Sequence, residues 1–194
     1  MAFVNEERKE ISCKIVYYGP PRGGKSTSLT SILGKVKREL KGDLVSITSD
    51  ENRTLYFDFV PLTLGKIKGY TIRLHLYTVP GDATYDANRK IISKGLDGLV
   101  FVADSQLEKM EQNIESMEEL KEIAASWGMD LDSIPLVIQY NKRDLPDVVP
   151  TDRLRAVLNP RRLPDFETVA IKGKGVYEAL EAAARGVLLS LKNT

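Results

Sequence analysis

Cysteine is nearly absent from this sequence: Cys13 is the only one, so an internal disulfide is excluded. It lies in an apolar stretch, which suits a buried thiol in a reducing compartment, the cytoplasm by default. Histidine is as scarce, with His75 alone, so no Cys/His metal cluster can form. No run approaches the roughly 18 apolar residues of a membrane span, and Met1 to Glu10 contain no apolar signal core. Ala2 in place of Gly excludes N-myristoylation, and Ser190 to Thr194 offer no cysteine for prenylation, so the expectation is a soluble chain with no direct membrane anchor. Neither sign of charge prevails: 28 Lys and Arg face 27 Asp and Glu, a net charge of +1. Such a balance gives no electrostatic footprint for nucleic acid. Repeats, low-complexity tracts and linkers are also missing. What remains is a chain of 194 residues, 42% hydrophobic. That is enough for one well-packed core and too little for two ordinary domains, so residues 1–194 read as a single domain, expected to be monomeric alone.

The apolar patterning alternates between two periods. Ile11 to Tyr18 forms a short β-branched and aromatic run that stops at Gly19-Pro20-Pro21, the pattern of a buried strand entering a tight loop. Lys25 to Leu40 reads as a helix closed by Lys41-Gly42. Leu55 to Val60 and Thr71 to Tyr77 read as strands of a hairpin turning between Gly65 and Gly69. In the second of them Ile72, Leu74 and Leu76 share a face, and His75 on the other face reads as a hydrogen-bonded strand residue. Leu99 to Ala103 and Ile134 to Tyr140 are continuous apolar runs, as in central parallel strands covered on both sides. Between them Met110, Ile114, Met117, Leu120 and Ile123 recur at helical spacing, and Trp127-Gly128 ends that helix. A last strand is expected near Phe166 to Ala170, followed by a helix bearing Val176, Leu180, Ala183, Val187 and Leu191. Asn159 to Pro164 reads as a surface loop. Strands alternating with helices predict an α/β, doubly wound, mostly parallel sheet with one antiparallel hairpin strand and helices on both faces. Its ligand should sit at the carboxyl ends of the strands.

Two motifs lie at such ends. Gly19-Pro20-Pro21-Arg22-Gly23-Gly24-Lys25-Ser26 has two glycines framing four residues and followed by Lys and Ser, the phosphate-binding loop pattern, with a strand before it and a helix after. Backbone N–H groups of Gly23, Gly24 and the helix start would converge on a β-phosphate. Lys25 would neutralise the β- and γ-phosphates, Ser26 would ligate Mg²⁺, and Thr27 continues the set on the helix. Arg22 either adds charge near the phosphates or points to water, and Pro21 removes one N–H donor. The second motif, Asn141-Lys142-Arg143-Asp144, follows the strand ending at Tyr140. The Asp144 carboxylate can accept from guanine N1 and the 2-amino group, a pair of donors that adenine lacks on that edge, while the Lys142 stem can cover the base. Mg²⁺ with GTP or GDP is therefore the expected ligand.

With these motifs the chain resembles the MglA-type bacterial Ras-like small GTPases, P-loop NTPases that set cell polarity and motility. The resemblance runs through Lys14 to Pro20, Arg53-Thr54-Leu55, Phe57-Asp58-Phe59, His75 to Gly81, Phe101 to Ser105 and Asn141 to Pro146, in the family's order and spacing. It implies a two-state switch, recruited to a cell pole by partners and stimulated by a roadblock-type MglB-like dimer. Thr54 would be the switch threonine that closes on Mg²⁺ and the γ-phosphate, and Arg53 a built-in arginine finger. Gly81 would donate its N–H to the γ-phosphate, and Thr78 stands where most GTPases carry an Asp. Val169, Ala170 and Ile171 would form the last base-contacting loop.

One position departs from that family: Asp82 stands where its members carry a water-orienting Gln. Gln both donates and accepts, whereas ionised Asp only accepts and is shorter. At ~5 Å from the γ-phosphate and an effective dielectric near ~20, a carboxylate meets repulsion on the order of several kcal/mol. Slow hydrolysis is the expectation, unless Asp82 acts as a base or takes a proton. Two readings stay open: a slow regulatory GTPase, or a hydrolysis-deficient pseudo-GTPase acting as a nucleotide-gated adaptor. An ATP-dependent kinase or transport ATPase is disfavoured by Asn141 to Asp144.

Overall fold

The computed structural model describes residues 3–43, 45–48, 54–80 and 93–192. Strands β1 (Phe3–Asn5), β2 (Glu10–Tyr18), β3 (Val45–Thr48), β4 (Thr54–Ile67), β5 (Tyr70–Thr78), β6 (Gly98–Asp104), β7 (Leu136–Asn141) and β8 (Asp165–Glu167) form one sheet. Helices α1 (Lys25–Lys35), α2 (Met110–Ser126), α3 (Thr151–Leu158) and α4 (Val176–Lys192) alternate with them. The strand order is β3-β4-β5-β2-β6-β7-β8. Strand β2 runs parallel to β5 and β6, as do β6 to β7 and β7 to β8, while β4 is antiparallel to β5. Two antiparallel additions went unread in the sequence: β3 on the edge of β4, and β1 beside Glu10 to Ser12. The latter occupies the flank of β2 below the point where β6 begins, opposite Ile15.

Alternation along the central strands supplies both core layers. Ile15, Tyr17, Val100 and Val102 face one side, where Leu29 and Ile32 of α1 and Ala183 and Val187 of α4 cover them. Val16, Tyr18, Leu99 and Phe101 face the other, under Met117, Leu120 and Ile123 of α2. This two-sided cover explains why β2, β6 and β7 read as unbroken apolar runs. Ile72, Leu74 and Leu76 are buried on their shared face, with His75 half-buried opposite.

Cys13 belongs to the first layer. Burial pushes its thiol up to about 12, and the nearby Asp97 carboxylate acts in the same direction. Near pH 8 such a thiol is thiolate in about one molecule in ten thousand, against roughly a quarter for an ordinary one. Labelling of the native protein by a thiol-specific reagent should therefore run at least about a hundredfold slower than in urea. Equal rates would place Cys13 outside the core.

Three expectations need correction. The first helix stops at Lys35 instead of Leu40, because Val36 turns extended and Arg38–Leu40 forms a separate 3₁₀ turn. The Lys41-Gly42 pair is drawn instead to β4, where Lys41 bridges Leu62 and Gly42 N donates to Pro61 O at 2.9 Å. The hairpin turn is tighter than Gly65 to Gly69: Ile67 pairs directly with Tyr70, and Lys68 and Gly69 both take positive φ. Gly65 marks a register shift inside β4. Finally, β8 ends at Glu167 instead of reaching Ala170, which opens the 3₁₀ turn Ala170–Lys172. Side-chain pairing with β7, described next, ends that strand.

Candidate functional site

The loop after β2 folds under steric compulsion. Gly19 has φ +136°, and a Cβ there would lie 2.3 Å from Val102 O. Gly24 has φ +105°, and its Cβ would meet Asn141 Nδ2 at 2.1 Å. A Cβ on Gly23 would stand 3.0 Å from Val102 O. The loop thus lies against the end of β6, beside the point where the chain has crossed to the other half of the sheet. Gly24 is the N-cap of α1, with no side-chain cap and no acidic residue in the first turn. That helix start is therefore suited to an anion from outside the chain.

Lys25 is the cationic part of this cradle. Its side chain arches back over the loop, where Nζ donates to Gly19 O and Pro20 O, each at 2.8 Å, and only 6% of the residue is exposed. A buried ammonium anchored by these carbonyls is poised for negative ligands. Ser26 is half-buried in the first turn, and Thr27 is exposed beside it. Arg22 takes a positive φ of 58° and is exposed at the mouth of the loop.

The second motif is joined to the first by Asn141, the last residue of β7, which is 2% exposed. Its Nδ2 donates to Gly23 O at 2.8 Å. Its Oδ1 accepts from Thr168 Oγ1 at 3.1 Å and from Ala170 N at 2.9 Å. One amide therefore ties the phosphate-type loop to the segment after β8. Thr168 N still donates to Tyr140 O as a last ladder bond, and beyond it the chain leaves strand geometry, with Ala170 N turned to Asn141. Val169 and Ala170 are consequently buried, while Ile171 is 79% exposed at the rim. Lys142 has φ +65°, and its Nζ lies 2.6 Å from Asp104 Oδ2. Asp144 Oδ2 pairs with Lys172 Nζ at 3.3 Å.

Gly19, Gly23, Gly24, Lys25, Ser26, Asn141, Lys142, Asp144 and Ala170 are thus brought to one edge of the sheet. Thr54 opens β4 opposite Thr48. Thr78 is fully buried at the end of β5, and Val79 N donates to Tyr17 O at 3.2 Å, which sets that chain end beside the loop. Arg53, Gly81 and Asp82 lie outside the described residues. Sequence reasoning missed Asp104, Asn113, Thr168 and Lys172 as parts of the site. Only Asp104 carried a local signal, a carboxylate closing an otherwise apolar strand. Among the described residues no group of His, Cys, Asp and Glu could hold a metal on its own.

The chain is similar to known proteins over most of its length. The model of the ADP-ribosylation factor family matches residues 2–186. The chain is 54% identical to Mutual gliding-motility protein MglA of Myxococcus xanthus (strain DK1622) over 192 residues, 99% of this chain and 98% of that protein. It is 29% identical to ADP-ribosylation factor-like protein 4A of Homo sapiens over 129 residues, 63% of this chain and 61% of that protein.

Proposed function

Because the chain belongs to the ADP-ribosylation factor family and, within it, to the MglA-type small GTPases, we propose that it is a switch that binds GTP and GDP and hydrolyses GTP slowly. The observation that carries this reading is Asn141, whose single amide links a phosphate cradle to a base-reading loop. Lys25 and the α1 N-terminus would hold the phosphates, Asp144 would accept from guanine N1 and the 2-amino group, and Ala170 would border the base.

The residues fit Mg²⁺ of the kind that a nucleotide brings. That ion takes one or two protein oxygens and completes its shell with phosphates and water. A half-buried Ser26 hydroxyl in the first turn, beside the cradle, is such a donor. Ser26 and, by resemblance, Thr54 would hold the ion, which supplies neutralisation of the phosphate charge. Lys25 neutralises the same oxygens from its carbonyl-anchored position, and Arg53 would add transition-state charge.

The relative's name includes gliding motility, and the same role in motility or cell polarity is proposed here, with a roadblock-type MglB-like dimer as the activating partner. Displacement of a fluorescent GDP from the purified chain by GTP, with ATP ineffective, is the direct test of the nucleotide reading. Competition by ATP at equal concentration would sink it.

Asp82 separates the two versions of this function. By the resemblance, replacing it with Gln would restore a group that both donates to a phosphate oxygen and accepts from water, and would remove a negative charge near the γ-phosphate. Single-turnover hydrolysis by Asp82→Gln is expected to rise at least about fivefold, which corresponds to about 1 kcal/mol. An unchanged or lower rate would assign Asp82 a direct part in the reaction. The adaptor reading instead predicts no phosphate release from the natural sequence, with or without the partner.

A further inference from the structure

We infer that Asp104 is a positioning residue for base recognition, holding Lys142 in the conformation that covers the guanine face. The inference rests on the guanine-nucleotide reading above. Asp104 ends β6 and Asn141 ends β7, and the two stand opposite each other in parallel register. Only 1% of Asp104 is exposed, a burial that a carboxylate tolerates only when paired and hydrogen-bonded. Its Oδ2 meets Lys142 Nζ at 2.6 Å, and its Oδ1 accepts from Gln106 N at 3.1 Å.

The backbone of Asp104 is clamped as firmly. Asn113 in α2 is fully buried; its Oδ1 accepts from Asp104 N at 2.9 Å, and its Nδ2 donates to Asp104 O at 2.8 Å. Strand β2 pairs with β6 only as far as Phe101, so Asn113 supplies the partners that the sheet does not give the Asp104 backbone. The anchor therefore passes from helix α2 through Asp104 to Lys142.

Lys142 is held at both ends. Its φ of +65° is a left-handed conformation that lysine seldom adopts, which aims the start of the side chain, and the ion pair fixes the far end. The methylene stem between these anchors is ordered before a base arrives, so less side-chain entropy is lost on binding. The same pair keeps the Lys142 ammonium away from Asp144, two residues on. Asp144 is left to Lys172, which is 67% exposed and readily exchanged for guanine.

The test is release of fluorescent GDP from the full chain, chased with excess GDP. Asp104→Asn keeps the shape and loses the charge, and is expected to speed release about tenfold. Lys142→Met keeps most of the stem and loses Nζ, and should also speed release. The double variant should be no faster than the faster single one, because both changes break the same pair. Unchanged release in Asp104→Asn, or single effects that multiply in the double variant, overturns the inference. A general loss of folding would lower every variant's melting temperature without producing this non-additivity. Should Asp104→Asn fail to fold, Asn113→Ala takes its place: faster release in the natural background and no further effect in Lys142→Met support the link, and equal effects in both overturn it. If the unsubstituted chain does not retain fluorescent GDP, it is the guanine reading that has failed.

Discussion

Asp144→Asn is expected to lower affinity for GDP and GTP by about a hundredfold to a thousandfold and to make xanthine nucleotides the better ligands. An ionised carboxylate accepts from both guanine N1–H and the 2-amino group. Each such charge-assisted bond contributes roughly 1.5–3 kcal/mol, and about 1.4 kcal/mol is tenfold in affinity. Asn offers one acceptor and one donor. Its oxygen still accepts from N1–H, but its NH₂ then faces the guanine 2-amino group, donor against donor. Xanthine carries a carbonyl at that position, so the new donor finds an acceptor and the specificity inverts. Loss of the Lys172 pair adds little, because that lysine is 67% exposed. Competition of GTP, xanthosine triphosphate and ATP against fluorescent GDP reads the change directly. Guanine affinity within about threefold of the unsubstituted chain would mean that Asp144 does not face the base.

Gly24→Ala should be nearly as damaging, through the backbone. A Cβ there would stand 2.1 Å from Asn141 Nδ2, in a residue with φ +105°. Holding a non-glycine residue in a sparsely populated backbone region costs of order ~1–3 kcal/mol. The clash is with a side chain that cannot step aside, since Asn141 is fixed by Gly23 O, Thr168 Oγ1 and Ala170 N. Relief therefore requires the phosphate loop and the base loop to part. Nucleotide affinity should fall by at least about a hundredfold, together with a lower melting temperature of the nucleotide-free chain. Gly34→Ala is the control within the same helix: nothing lies within 4 Å of its Cβ. There Ala should raise stability by up to about 1 kcal/mol and leave binding unchanged. Equal damage from both substitutions would point to a general intolerance of α1 instead of the Gly24–Asn141 contact.

Much of this architecture was legible before any coordinates. β2, β6 and β7 announced themselves as apolar runs because both of their faces are covered, and α2 and α4 because one face of each is not. The phosphate loop and Asn141 to Asp144 were legible because each motif is local in sequence and closes a strand. The corrections arose where a distant segment competed for a backbone group. Lys41 and Gly42 look like a helix end and were taken by β4. Thr168 and Val169 look like strand and were bent towards Asn141 and Lys174. Edge strands β1 and β3 are only 3 and 4 residues long, too short for a period to emerge.

Fold class and the segments that make up the candidate site were thus legible in residue type and spacing: a Gly-framed loop before Lys25, a carboxylate at Asp144, and strands alternating with helices. These are properties of segments a few residues long, where local geometry follows from local sequence. Which groups support those motifs was decided only when parallel register set Asp104 opposite Asn141 and α2 delivered Asn113 to the same strand end. The reason is physical: burial of the Asp104 carboxylate and the three-way bonding of Asn141 depend on segments far apart in the chain, and their partners exist only once the sheet has closed.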